Sequence, residues 1–160
     1  MGKKNKDEDK KRTTKKQVVK AFKAAFEMAD MEYEFDEDDS LFRTGFMGDD
    51  LPIGVGIYLD DLMIAFRCPL RLKAEEVNYQ KVAWELNNIN KTLFFGSFFL
   101  EPDGGYIMFK YGFPYIEADV SPEFLLDFIE FIVKTIDKYD GMLKGIAEKA
   151  PEKDYDRLYR

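Results

Sequence analysis

The chain of 160 residues contains no histidine and a single cysteine, Cys68. Without an imidazole, Ser-His-Asp and Cys-His catalysis, imidazole general-base chemistry and HExxH-type metal sites are excluded. One cysteine excludes an intrachain disulfide and a cysteine-based zinc site within one chain. Because Cys68 stands in an alternating apolar run with no histidine to activate it, we interpret it as a small buried hydrophobe.

Long hydrophobic runs are also missing. No apolar stretch approaches the roughly 20 residues that span a bilayer, and the first residues, MGKKNKDEDKKRTTKK, lack the apolar segment of a signal peptide. We therefore predict a cytoplasmic protein with no membrane partner. GxxxxGK[ST] and GxSxG motifs are absent as well. We expect no catalytic residues, no metal and no cofactor, so the chain is predicted not to be an enzyme.

The charge is unevenly distributed. Residues 1–16 carry eight Lys and Arg against three acidic residues, while the whole chain has a net charge of −7. The body is therefore strongly acidic and should repel nucleic acid. The basic arm could contact nucleic acid or an anionic membrane, but a solvated tail is the simpler interpretation.

The acidic cluster at residues 36–39 lacks the ligand order of an EF-hand, which favours an exposed loop over an ion site.

Apolar periodicity predicts the order α-β-β-β-α-β-β-α, an α+β fold with a five-stranded antiparallel sheet packed against helices. Local signals agree with it: a capping-box pattern from Thr14 to Gln17, a turn at Asp60-Asp61, a turn at 102–105 and a helix start at Ser121-Pro122. The helices are predicted at about 14–31, at about 74–92 and from 121 past 143, and the strands at 41–47, 53–59, 62–70, 95–100 and 106–113. Residues 1–13 are predicted to be a disordered basic tail, 14–150 a single domain and 151–160 a flexible C-terminal tail.

The two hairpins differ in their alternation. In the first, one face should meet the helices through Ile53, Val55, Ile57, Leu59, Leu62, Ile64 and Phe66. In the second, both faces read as apolar, although a sheet face in water normally carries polar side chains. We therefore expect another protein surface to cover the second sheet face. The candidate interface residues are Tyr58, Met63, Ala65, Arg67, Phe98, Tyr106 and Met108. A helix of the same chain wrapping over this face is the alternative.

The stretch VAWELNNINKTLFFGSFFLEPDGGYIMFKYGFPY, followed by a Ser-Pro helix, resembles the YbjN family of small bacterial domains. The matching residues are Leu86, Asn87, Asn90, Phe98, Asp103, Gly104 and Gly105, and the resemblance covers roughly residues 15–148. It implies a fold similar to that of type III secretion chaperones, usually a homodimer that binds extended segments of partner proteins. It also implies a role in regulating sensory transduction, with no catalytic residues to carry over.

Two functions are favoured, and a carboxylate-based enzyme is a less supported third. The first is a non-enzymatic protein-binding module, chaperone-like or regulatory, that acts as a homodimer. The alternative is a small-ligand sensor with an aromatic pocket between the sheet and the helices. The partner, the dimer interface, the purpose of the basic tail and ion binding at 36–39 are not determined by the residues.

Overall fold

The computed structural model describes residues 12–148, so the predicted tails lie outside the described residues, apart from residues 12 and 13. Thr13 is held to the domain, because its backbone N–H donates to Ile116 O and its hydroxyl donates to Ala118 O, each at 2.8 Å. The elements in chain order are α1 (Lys15–Met28), β1 (Glu34–Asp36), β2 (Leu41–Met47), β3 (Pro52–Leu59), β4 (Met63–Lys73), α2 (Tyr79–Asn90), β5 (Ser97–Leu100), β6 (Tyr106–Pro114) and α3 (Pro122–Ala147).

The strands form one antiparallel sheet in the order β1-β2-β3-β4-β6-β5. The α+β class is confirmed, but the expected five strands are six in the described residues. β1 was missed because it spans three residues inside an acidic stretch that lacks a strand pattern. Phe35 fixes this short edge strand, since its ring stacks on that of Phe42 with 4.3 Å between centroids. Asp36, which ends β1, accepts the backbone N–H groups of Asp38 and Asp39 and so closes the β1–β2 turn.

Helices α1 and α3 lie on one face of the sheet, and α2 packs beside the edge strand β5. From α1, Phe22 contacts the rings of Phe42 and Phe66, and from α3, Phe128 contacts Phe66. The first and last residues of the three helices are close to those predicted, with one exception. Helix α2 begins at Tyr79 rather than near residue 74. The chain before it remains extended, because the Ala74 N–H donates to Gly105 O at 2.8 Å, and it then makes one 3-10 turn, Glu76–Asn78.

Local signals in the sequence account for the helix ends. Thr14 and Gln17 form both hydrogen bonds of the capping box, and the Ser121 hydroxyl accepts the N–H of Phe124. Gly141 lies within the uninterrupted helix α3. Its missing side chain makes room for Asp50, whose carboxylate would meet an added Cβ at 2.5 Å.

The helix-facing set of the first hairpin is buried as predicted, with the exception of Leu62. That residue is in the β3–β4 turn and its side chain is 56% exposed. The turn is longer than Asp60-Asp61, because the Asp60 carboxylate accepts the N–H groups of both Leu62 and Met63. These hydrogen bonds lower the pKa of Asp60.

Cys68 lies on the helix-facing side of β4 and is fully buried. Burial raises the pKa of its thiol to about 12. We expect Cys68 to remain unmodified by a soluble disulfide reagent at pH 8 in the native protein, and to react stoichiometrically after denaturation in urea. Absorbance of the released thiolate measures both, and rapid modification of the native chain would contradict this placement.

Candidate protein-binding surface

One face of the sheet is not covered by any helix of residues 12–148, and we call it the open face. The strand register places Arg43, Gly56, Arg67 and Lys110 side by side across β2, β3, β4 and β6 on this face. Neighbouring strands are about 4.8 Å apart, so three cationic side chains stand in one row across the sheet. The row continues to Glu34 on β1 and to Ser97 on β5 at the two edges.

Apolar and small residues form the rows on either side of these cations. One row contains Leu41, Tyr58, Ala65 and Gly112, which are opposite one another in the register. The other contains Gly45, Gly54, Pro69, Met108 and Phe99. The open face therefore alternates along the strand direction between apolar and cationic chemistry.

Three aromatic rings of this face, the exposed Tyr58 and Tyr106 and the half-buried Phe99, each lie close to a cation from a neighbouring strand. The Arg67 guanidinium is 5.4 Å from the Tyr58 ring centroid, and Lys73 Nζ is 5.8 Å from the ring centroid of Tyr106. Lys110 Nζ is 5.4 Å from the centroid of the Phe99 ring. Such contacts are worth about 0.5–1 kcal/mol at exposed sites. They also keep the aliphatic stems of the cations flat against apolar surface.

A groove of about 330 Å³ runs over the middle of the open face. Its floor is Gly54 and Gly56, where glycine leaves no side chain on β3, and its walls include Arg43 and Arg67. A Cβ on Gly56 would lie 3.1 Å from Arg67 O and 3.6 Å from the Tyr58 ring, so the groove depends on glycine there. The other lining residues are Leu41, Thr44, Val55, Tyr58, Pro69 and Met108.

The expectation that this face is apolar is wrong in one respect. Arg43, Arg67, Arg71, Lys73 and Lys110 are all exposed on it, although the chain as a whole is acidic. In the second hairpin, Lys110 interrupts the apolar residues on that side. Water therefore solvates the face better than the sequence suggested, and the case for a partner depends on charge and aromatic content rather than on apolar area.

Most of the predicted interface residues lie on the open face. Tyr58, Tyr106 and Arg67 are exposed, and Met63, Ala65 and Met108 are half-buried. The remaining interface residue, Phe98, was assigned to the wrong face.

Phe98 pairs with Phe109, and both side chains point towards the helices, where Phe98 is 2% exposed. Its neighbour Phe99 is on the open face instead. An error of one residue in a strand exchanges the two faces completely, because the side-chain period is two.

Asn90, at the end of α2, closes the outer edge of β5. Its side-chain carbonyl accepts the Phe98 N–H at 2.8 Å, and its side-chain amide donates to Phe98 O at 2.9 Å. One side chain thus takes the place of a neighbouring strand for this residue. The end of α2 is thereby packed against β5.

A second exposed aromatic surface lies beyond β5. β5 pairs with β6 only between Ile107 and Lys110, so the Tyr111–Pro114 part of β6 extends past it. Beside this segment the Phe95 ring is 4.4 Å from that of Phe131 and 4.9 Å from that of Tyr111, between centroids. We call this surface the aromatic edge; its members are Phe95, Tyr111, Phe113, Phe124, Phe128 and Phe131. Phe124 is exposed and Phe128 half-buried.

A cluster of carboxylates lies at the C-terminal half of α3. Asp140 is fully buried, and neither of its oxygens has a hydrogen-bond partner in the part of the chain that the structure describes. Burial raises the pKa of Asp140, and the charges of Asp137, Asp50 and Asp49 raise it further. Asp137 accepts the N–H of Asp49 at 2.7 Å.

Within residues 12–148 no group of three or more Cys, Asp or Glu side chains is arranged to hold a metal ion. The carboxylates near Asp140 instead hold the β2–β3 loop against α3. None of the helices in this range is long and apolar enough to cross a membrane.

Comparison with known families adds to this geometry. The family described as "Putative bacterial sensory transduction regulator", YbjN, matches residues 19–144, which is more than half of the chain. The chain belongs to the YbjN family. The resemblance seen in the α2–β5 stretch is therefore confirmed, and the description of the YbjN family names a regulator rather than a reaction.

A solved YbjN protein has a similar fold. It is described as "YbjN, a putative transcription regulator from E. coli", and the similarity has a TM-score of 0.57 over 81% of this chain and 93% of that chain. The two sequences are 13% identical, so the likeness shows the fold alone. A search of curated proteins gave no match. The likeness to type III secretion chaperones stays a prediction.

Proposed function

We propose that this YbjN protein is a non-enzymatic regulatory module that binds a segment of another protein on its open face and acts as a homodimer. The observation that carries the proposal is the open face itself, where three aromatic rings, two of them exposed, are each paired with a cation around a glycine-floored groove. Arg, Tyr, Phe and Met are enriched at protein interfaces. The regulatory description of the family supports the same function, and the cytoplasm is the predicted location.

The homodimer is proposed to form through the aromatic edge. Stacking two open faces would bring two sets of arginines and lysines together, which like-charge repulsion opposes. The aromatic edge instead offers half-buried rings beside the Tyr111–Pro114 segment, which lies beyond the end of β5. An antiparallel strand edge is self-complementary about a two-fold axis, which is the commonest symmetry of homo-oligomers.

Dimerisation at this edge predicts that Phe131→Glu yields a monomer. Phe131 is 51% exposed, so a charge there is tolerated in the folded monomer but would be buried in the dimer. Light scattering after size exclusion, at about 50 μM protein, measures the mass. Met28→Glu, at an exposed methionine at the end of α1, is the matched control and should remain dimeric. A wild-type chain with monomer mass at this concentration would remove the homodimer from the proposal.

Binding of protein segments is tested by selecting a random peptide library against the purified chain. Selected peptides should shift the amide NMR signals of β3, β4 and β6, and the shifts should disappear when the groove floor is filled by Gly56→Val. Because Val can stabilise or strain a strand, a thermal melt confirms that this variant is folded. The proposal fails if no peptide is enriched, or if all enriched peptides bind elsewhere.

One observation favours the alternative of a small-ligand sensor. A groove of about 490 Å³ lies between α2 and β5, lined among others by Tyr79, Leu86, Phe98 and Leu100. This volume falls within the range of ligand pockets. A metabolite library screened by thermal shift separates the two functions, since a ligand of this groove raises the melting temperature of the wild type and of Gly56→Val alike.

A further inference from the structure

We propose that the segment bound by the open face is extended and acidic, with one carboxylate between two apolar side chains in the pattern apolar-x-acidic-x-apolar. This inference rests on the proposed protein-binding function and adds the chemistry of the occupant. It follows from the register of the sheet, which sets both the identity and the spacing of the side chains that the segment would meet.

The centre of the groove is suited to a carboxylate. Arg43 and Arg67 stand on either side of Gly56, two strands apart, so about 10 Å separates their backbones. Long guanidinium side chains can converge from that distance on one anion above the glycine. Guanidinium groups bind carboxylates through paired hydrogen bonds. Lys110, next to Arg67 in the register, adds positive charge to the same row.

The rows on either side are suited to apolar side chains. Along β3, Tyr58, Gly56 and Gly54 face the groove in succession, about 6.6–6.8 Å apart. The row across the sheet that contains Tyr58 is apolar. The row that contains Gly54 also includes Pro69 and Met108, which are apolar as well. An extended peptide repeats its side chains at the same spacing. Its residues i, i+2 and i+4 would therefore meet apolar, cationic and apolar rows in turn, in either chain direction.

Charge complementarity favours a peptide over the other occupants. A second copy would oppose the arginines of this row with its own if it used the same face. A nucleic acid presents a phosphate at every nucleotide, whereas cations and apolar residues alternate along this groove. The acidic residues at the β1 edge, including Glu34 opposite Arg43, would repel the continuing phosphates. A single carboxylate in an apolar segment avoids that repulsion.

The test uses a fluorescein-labelled peptide of nine residues whose core is leucine-serine-glutamate-serine-phenylalanine in a serine-threonine frame. Fluorescence anisotropy with the full chain should show saturable binding. Replacing the glutamate of the peptide by glutamine should weaken binding about tenfold, because a charge-assisted hydrogen-bonded pair is lost. Arg67→Gln in the protein should have a similar effect.

Two variants separate this local chemistry from general electrostatics. Lys20→Gln, at an exposed position of α1 on the other side of the molecule, makes the same change in charge and should leave the affinity unchanged. Arg67→Glu should prefer a peptide with lysine in place of glutamate over the original. Circular dichroism confirms that each variant is folded.

The possible failures are distinguishable. If peptides bind the open face but the glutamine version binds as tightly as the glutamate version, the acidic specificity is overturned while the proposed function stands. If a ten-nucleotide oligothymidylate binds this face more tightly than the glutamate peptide, the occupant is nucleic acid and this inference is overturned. If neither the nine-residue peptide nor any library peptide binds, both proposals fail.

Discussion

Replacement of Asn90 by alanine is expected to lower the free energy of unfolding by about 2–4 kcal/mol. The Asn90 side chain serves both backbone groups of Phe98, the N–H at 2.8 Å and the carbonyl at 2.9 Å. Alanine would leave both groups without a partner at a part-buried position, where each loss costs about 1–2 kcal/mol, the lower part of the range for buried groups. In a domain of this size the melting temperature should fall by about 5–15 °C.

Three measurements check this expectation. Urea denaturation gives the free energy, and hydrogen exchange should show a specific loss of protection at the Phe98 amide. Asn90→Asp should also be destabilising, because a carboxylate still accepts the N–H but cannot donate to the Phe98 carbonyl. Asn88→Ala is the matched control: Asn88 is exposed two residues earlier in the same helix, and alanine is the better helix former there. Equal stability of Asn90→Ala and Asn88→Ala would show that the edge is not closed in this way.

Replacement of Asp140 by asparagine is expected to stabilise the protein at neutral and alkaline pH. Burial is the main cause of the raised pKa of Asp140, and the charges of Asp137, Asp50 and Asp49 add to it. The folded chain therefore holds this proton more tightly than the unfolded chain does. The contribution of Asp140 to stability is present below its ordinary value of 3.8 and is lost as the pH rises through the raised pKa.

Asparagine has nearly the same shape as aspartic acid and no charge. The variant therefore does not lose stability when the pH rises through the pKa of Asp140. We expect Asp140→Asn to melt a few degrees above the wild type at pH 8, and the two melting temperatures to converge near pH 4. Asp127→Asn, at an exposed position of the same helix, controls for the change in net charge. A difference between Asp140→Asn and the wild type that does not change with pH would mean that the carboxyl is not protonated more readily in the folded state.

The surface features of this YbjN protein were readable from the sequence to very different degrees. Arg67, Arg71 and Lys73 occupy alternate positions of β4, so their common face was visible in the alternation alone. Lys110 is an odd number of residues away from Ile107 and from Phe109. The alternation of β6 therefore places it on the opposite face, and it could have been assigned there from the sequence. Phe98 and Phe99 are both large and apolar, so the local pattern contained no information on which of them faces the helices.

Other features depend on residues far apart in the chain. The three-residue strand β1 is too short to show periodicity. It forms because the ring of Phe35 stacks on that of Phe42 across the β1–β2 turn. Asp140 stands four residues after Ile136 and three before Leu143, so helical spacing alone places it on the buried stripe of α3. The loop with Asp49 and Asp50 that raises its pKa lies far away in the chain, and no local pattern predicts that contact. The aromatic edge depends on the point at which β5 stops pairing with β6.

The sequence by itself determined the α+β class, the capped helix starts, the hairpin turns and the family, because these depend on periodicity and on hydrogen bonds between residues a few positions apart. Only the tertiary structure decided that Arg43, Arg67 and Lys110 form one row beside a glycine, and that Asn90 completes the edge of β5. Both depend on which residue of one strand or helix lies opposite which residue of another. That register is set by packing over the whole sheet, and no local pattern contains it.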